Sequence, residues 1–221
     1  ILFKDSKYAE RLPIGEKEII ESFDHKTLID FYKDWYRPDL IAVAAVGDFD
    51  VKEIEGYIKK HFEKIPYPEQ IKQKEFFSIP NHDKTYFAIA SDKEAIYSII
   101  SMYYKRNPDV IKTVDDYKNL IIHELFFSML SDRLSEITQM ADPPFNFSNA
   151  VSRKFVKSAD ASILAAIVKE GGVYNGFEAL LREAERVRQH GFTSTELERQ
   201  KTNQLRMVEK RRDEKDKTES R

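Results

Sequence analysis

The side chains best equipped for chemistry are the five histidines, His25, His61, His82, His123 and His190, and one of them stands in a suggestive pattern. His123-Glu124-Leu125-Phe126-Phe127 has the first two letters of the His-Glu-x-x-His helix signature, but Phe127 occupies the position of the second histidine. Two zinc ligands one helical turn apart must both present an imidazole nitrogen, and a phenyl ring has no lone pair to give. His123 and Glu124 therefore read as the polar edge of a helix. No two histidines lie within four residues of each other, and cysteine is absent, which excludes disulfides, thiolate metal sites and cysteine nucleophiles. The Gly-x-Ser-x-Gly elbow, the Walker loop and the Gly-x-Gly-x-x-Gly turn are missing as well, so the common hydrolase, nucleotide and dinucleotide signatures are not available.

The elements that would position any such residues follow from periodicity. Leu28, Phe31, Tyr32 and Trp35 fall at helical spacing behind Asp24, whose carboxylate suits the free amides of a first turn. Leu40 to Val46 is a short continuous apolar run with the composition of a strand buried on both faces, ended by Gly47. Asp50 and Glu53 form a capping box for a second helix whose apolar face is Val51, Ile54, Tyr57, Ile58, Phe62 and Ile65. Pro66 to Lys84 holds three prolines and no sustained period, the mark of a connector. The expected organisation is thus 1–66 as a first unit, 67–84 as linker and 85–221 as a second unit.

In that second unit Thr85 to Ser91 and Ala95 to Tyr104 read as strands and as sequential neighbours in a sheet. A long helix from about Val114 to Met140 follows, with Leu120, Phe127 and Leu134 seven residues apart and Pro143-Pro144 ending it. Phe145 to Val156 and Ala161 to Lys169 suit an antiparallel hairpin, and a helix from about Tyr174 to His190 stops at Gly191. Thr193 with Glu196 then caps the last helix, with Phe192 and Leu197 as a hydrophobic staple. The fold class is α+β, a mixed, mostly antiparallel sheet covered by helices. Most aromatics read as core, while an exposed aromatic edge strand would suit an extended peptide.

Composition narrows the partners. The 221 residues carry 36 Lys+Arg against 38 Asp+Glu, a net charge of -2, so no global field attracts nucleic acid or anionic lipid. With 41% hydrophobic and 33% charged residues the balance is that of a folded globular chain, and no run approaches the length of a membrane span. The opening at Ile1 without a signal pattern and the charged stretch from Arg206 to Arg221 read as the ends of an internal segment.

Three stretches together carry a family likeness. Tyr8-Ala9-Glu10-Arg11-Leu12-Pro13-Ile14-Gly15, then Leu28 through Asp39 with its Trp35-Tyr36-Arg37-Pro38-Asp39 end, then Ala42 through Asp50, closely resemble insulinase-type zinc metallopeptidases (pitrilysin, M16, inverzincin). Ser131-Asp132-Arg133-Leu134-Ser135-Glu136 is similar to the family's second-domain helix, and Asp142-Pro143-Pro144-Phe145 to its bacterial zinc-protease branch. The resemblance implies an insulinase-like (LuxS/MPP-like) metallohydrolase architecture in which 1–66 ends the metal-binding type of domain and 85–221 is most of the second, non-metal-binding one. It implies a parent that hydrolyses peptides with zinc inside a chamber, in an exported or periplasmic setting. The alternative is a non-enzymatic scaffold or inactive partner subunit of the same fold. Because no His-x-x-Glu-His occurs here, the resemblance sets the ligands upstream of Ile1. The catalytic, cofactor-binding and metal residues expected on this chain are none, zinc belonging to the parent. The expected partners are peptide substrates and the remaining domains or a partner subunit, without nucleic acid or a membrane span.

Overall fold

The computed structural model describes residues 1–11, 13–68, 70–215 and 217. The chain groups into two compact units, Asp5–Phe77 in one and Ser78–Arg221 with Ile1–Lys4 in the other.

The smaller unit contains helices α1 (Lys7–Glu10), α2 (Lys17–Ser22), α3 (His25–Trp35) and α4 (Val51–Phe62), with a short 3₁₀ turn at Pro38–Leu40. The starts of α3 and α4 follow the caps: the Asp24 carboxylate accepts from the Lys26 amide and the Asp50 carboxylate from the Glu53 amide. The centre of this unit is polar. Arg37 is buried and ties four points together, donating to both Asp39 carboxylate oxygens at 2.9 and 3.1 Å, to the Asp34 carbonyl at 2.9 Å and to the Lys72 carbonyl at 3.0 Å. That staple accounts for the Trp-Tyr-Arg-Pro-Asp segment: Pro38 starts the 3₁₀ turn, and Asp39 receives the guanidinium.

Here the sequence expectation for Leu40 to Val46 needs correcting. Ile41 to Val46 is neither helix nor strand and joins no ladder among the described residues, and Val46 is 87% exposed. A buried strand requires a hydrogen-bonded neighbour and an apolar layer over each face, and Asp5–Phe77 supplies no strand among its described residues. The apolar faces of α3 and α4 are uncovered for the same reason: Leu28, Phe31, Tyr32, Val51 and Tyr57 are exposed, and neither helix buries a residue.

The larger unit is built on a three-stranded antiparallel sheet in the order β1 (Ser98–Arg106), β3 (Ala159–Val168), β2 (Phe147–Val156). The fold class is therefore α+β, and the sheet among the described residues is antiparallel throughout. Thr85 to Ser91 does not form the expected strand, and β1 pairs with β3 rather than with its sequence neighbour. Ile89 in that stretch is 99% exposed. Aromatic and β-branched composition suits a pleated surface but does not provide the neighbour that makes one.

One face of the sheet is covered by helices. Alternation sends Ile100, Leu164, Ala166, Val168 and Ala150 to that side, where they bury against Leu130 and Leu134 of α5 (Val114–Ile137) and Leu180 and Val187 of α6 (Val173–His190). Thr113 opens α5 with a reciprocal capping box to Asp116, and Thr193 opens α7 (Ser194–Glu214) with one to Glu196. Gly176 lets α6 approach closely: an added Cβ would lie 2.4 Å from Val168 Cγ1 and 3.2 Å from Ile100 Cδ1. Gly191 ends α6 at φ 65°, a conformation that favours glycine.

Candidate functional site

The histidines do not converge. His123 is an exposed residue of α5 whose Nδ1 lies 3.9 Å from the Asp109 carboxylate, and Phe127, one turn on, packs against the core. His82 sets its Nδ1 2.7 Å from the Lys84 carbonyl, and His190 lies in the last turn of α6. His25 and His61 lie at the start of α3 and the end of α4, in the smaller unit. Among the described residues no group of three or more His, Cys, Asp or Glu could hold a metal ion.

The strongest polar constellation joins α5 to the turn between α6 and α7. Arg133 Nε donates to Glu196 Oε1 at 2.5 Å, its Nη2 to Glu196 Oε2 at 2.9 Å and to the Gly191 carbonyl at 3.1 Å, and its Nη1 to Glu183 Oε1 at 3.3 Å. The guanidinium also lies 4.9 Å from the centre of the Phe192 ring. Its hydrogen bonds, above all, hold the Glu196 carboxyl down to about 2, helped by the backbone and hydroxyl of Thr193. Beside it, Asp132 accepts from Arg199 and Gln200 of α7. The acceptors lie on α6, on α7 and in the turn between them, so the cluster is a lock between elements. Sequence reasoning singled out Arg133 only as part of a family-like run, and Phe192 as a staple partner of Leu197. The structure sets the Phe192 ring against Arg133 and, at 5.4 Å, against Phe126.

Between the sheet and helices α5 and α6 lies a cavity of about 300 Å³, lined by Met102, Tyr104, Phe126, Phe127, Leu164 and Leu181 among others. Its walls hold no carboxylate, imidazole or amine, so it can take an apolar group but offers no general acid or base for neutral pH. Among the described residues of the larger unit, the opposite face of the sheet carries no helix. There the cross-strand row Ile99, Ile167 and Phe147 leaves Ile99 and Phe147 exposed, while the row Tyr103, Ile163 and Val151 is largely closed over. A half-open apolar sheet face suits contact with an extended chain.

Residues 22–204 match the family model described as the Peptidase M16 inactive domain. The chain belongs to this peptidase family, as its inactive domain. Among curated relatives, the "Zinc protease PQQL-like" of Arabidopsis thaliana is 34% identical over 89% of this chain and 18% of that protein. The "Probable zinc protease PqqL" of Haemophilus influenzae is 26% identical over 87% of this chain and 21% of its own length. The chain thus spans about a fifth of these relatives. In fold, it resembles the crystal structure of the first half of the periplasmic protease PqqL from Escherichia coli, with a TM-score of 0.86, 22% identity, and coverage of 99% of this chain and 47% of that one. The zinc that these names imply finds no donor set among the described residues of this chain.

Proposed function

We propose that this chain is a non-catalytic wall segment of a larger zinc-dependent endopeptidase, and that its helix-free sheet face looks onto the space in which peptides are held. The observation that carries this reading is the match of residues 22–204 to an inactive peptidase domain, in a chain about a fifth as long as relatives named as zinc proteases. In this reading the metal and the general base come from polypeptide outside the 221 residues, and none of the residues here ligates or transfers a proton. The same outside polypeptide supplies the strands and apolar layers for Ile41 to Val46 and for the exposed faces of α3 and α4, which carry a buried composition without a cover. An exported, periplasmic location of the parent belongs to the reading, supported by the fold likeness to a periplasmic protease.

The test compares this chain with its full-length parent, using a quenched fluorescent peptide of mixed sequence and one equivalent of zinc. Cleavage by the parent, abolished by chelation, together with no cleavage by the 221-residue chain, is the expected result. Cleavage by the chain itself overturns the non-catalytic role, and a zinc-loaded parent that cleaves nothing overturns the peptidase and favours a scaffold of the same fold.

A further inference from the structure

The face of the sheet away from α5 and α6 is irregular at the end of β2. Its register with β3 passes from Lys154↔Asp160 to Val156↔Ala159, skipping Phe155. An inserted residue of this kind bends the strand and increases its twist, and here the Phe155 ring meets Tyr103 of β1 at 5.8 Å and 52°. Two residues along β1 on the same face is Lys105, half-buried, with burial pushing its ammonium pKa down. Against Phe155 and Lys105 lies Ile1–Lys4, a sequence-distant segment of the same compact unit. The Leu2 carbonyl accepts from Lys105 Nζ at 3.1 Å, and the Phe3 ring stacks on Phe155 at 5.1 Å with 13° between planes. The Lys4 ammonium sits 4.7 Å above the Tyr86 ring and 3.4 Å from its hydroxyl, and the His82 ring packs on the Tyr86 ring at 4.5 Å.

We propose that Tyr86, Tyr103, Lys105 and Phe155 form a binding site for an extended peptide in which an aromatic residue is followed by a basic one, and that Ile1–Lys4 occupies it in cis. Each contact reads a different feature of the occupant. Lys105 takes a main-chain carbonyl, which any residue offers and which fixes the register. Phe155 and Tyr103 present ring faces that accept an aromatic side chain in an offset stack and gain less from an aliphatic one. Tyr86 offers an electron-rich ring face to a cation, and a carboxylate there would be repelled by the same quadrupole. None of these contacts involves the chain's first amino group. The site stands whether or not the parent cleaves peptides, because it rests on recognition alone.

A tethered occupant competes at an effective concentration in the millimolar range, so for an intrinsic dissociation constant of about 0.1 mM or tighter a free peptide should bind at least about tenfold more tightly once the tethered ring is removed. The test uses the whole 221-residue chain and a fluorescein-labelled Ile-Leu-Phe-Lys peptide with a blocked C-terminus, followed by fluorescence anisotropy. Phe3→Ala should bind the peptide saturably, and the unsubstituted chain at least about tenfold more weakly. In the Phe3→Ala background, adding Lys105→Met or Phe155→Leu should lower the affinity at least about fivefold. Circular dichroism should match the parent variant, since Phe155→Leu keeps the site apolar. Peptides with Ala for Phe, or Glu for Lys, probe the same specificity without touching the protein and should also bind weakly. No saturable binding to Phe3→Ala, or equal binding of all three peptides, overturns the site. Equal affinity for Phe3→Ala and the unsubstituted chain overturns the occupancy in cis.

Discussion

Replacing Arg133 with alanine should destabilise the larger unit by about 3 kcal/mol, an amount that follows from what the guanidinium leaves behind. The side chains of Arg133, Glu183 and Glu196 are only 11%, 7% and 16% exposed, so in Arg133→Ala two carboxylates lose their common counter-charge in a nearly dry site. Removing one partner from such a buried group costs about 3–5 kcal/mol, against about 0–1 kcal/mol for an exposed pair. The lower end applies because Arg186, 65% exposed, lies 3.5 Å from the other carboxylate oxygen of Glu183 and compensates in part. The Gly191 carbonyl loses a donor too, which loosens the turn that sets α7 against α5. Urea unfolding followed by circular dichroism should show the midpoint falling by on the order of 1–2 M for a domain of this size. Arg133→Lys keeps the charge but not the planar fork and should recover less than half of the loss. A double-mutant cycle with Glu196→Gln isolates the pair. If Arg133→Ala costs less than about 1 kcal/mol, or the cycle shows no coupling, the group behaves as an exposed pair and the lock is misread.

Four further outcomes are expected. Because Glu196 is held down to about 2 in the fold, against an ordinary 4.5, the unfolded chain takes up its proton first as the pH falls. Its contribution, up to about 3 kcal/mol, is complete above about pH 4.5 and is lost between there and pH 2, a dependence that acid titration of Arg133→Ala should flatten. Gly176→Ala should cost about 1–3 kcal/mol in thermal unfolding despite the better helix propensity of alanine, because the new methyl meets Val168 at 2.4 Å; an unchanged melting temperature would mean the helix retreats freely. Val46→Asp, in a residue 87% exposed, should stay within about 0.5 kcal/mol in this chain, and a loss of several kcal/mol would show the run to be buried after all. We propose 67–84 as a connector, so limited proteolysis with mass mapping should cut there before it enters α5 or the β2/β3 hairpin; first cuts inside those elements would misplace it.

Where the sequence was legible, the rule was local. Asp24, Asp50 and Thr193 announce their helices because a side-chain oxygen two or three residues from a free amide needs nothing else to work, and the hydrogen bonds are in place. The hairpin of β2 and β3 is of the same kind, two alternating runs with a short turn between them. Ile41 to Val46 and Thr85 to Ser91 have strand composition, yet neither is in a ladder among the described residues. Composition states which environment a segment tolerates, whereas a strand exists only when another strand presents the complementary row of amides and carbonyls. For α3 the periodicity of Leu28, Phe31 and Tyr32 correctly marked one face, and the structure shows that face uncovered.

The constellations failed to show themselves for a different reason, which is sequence distance. Arg133 meets Glu183 and Glu196 across 50 and 63 residues, and Lys105 meets the Leu2 carbonyl across 103. No periodicity couples positions so far apart, and a lone arginine in a helix reads as a solvated charge until three acceptors are found around it. The register slip that skips Phe155 is equally silent, since Arg153, Lys154 and Phe155 form no turn signature. A metal site can declare itself locally, because two ligands on one helix must stand a fixed turn apart. A surface that holds a peptide by one carbonyl, one ring and one cation imposes no such spacing. Its parts come from whichever strands the fold makes adjacent, so the absence of a motif here excludes local metal-site chemistry much more strongly than it excludes peptide recognition.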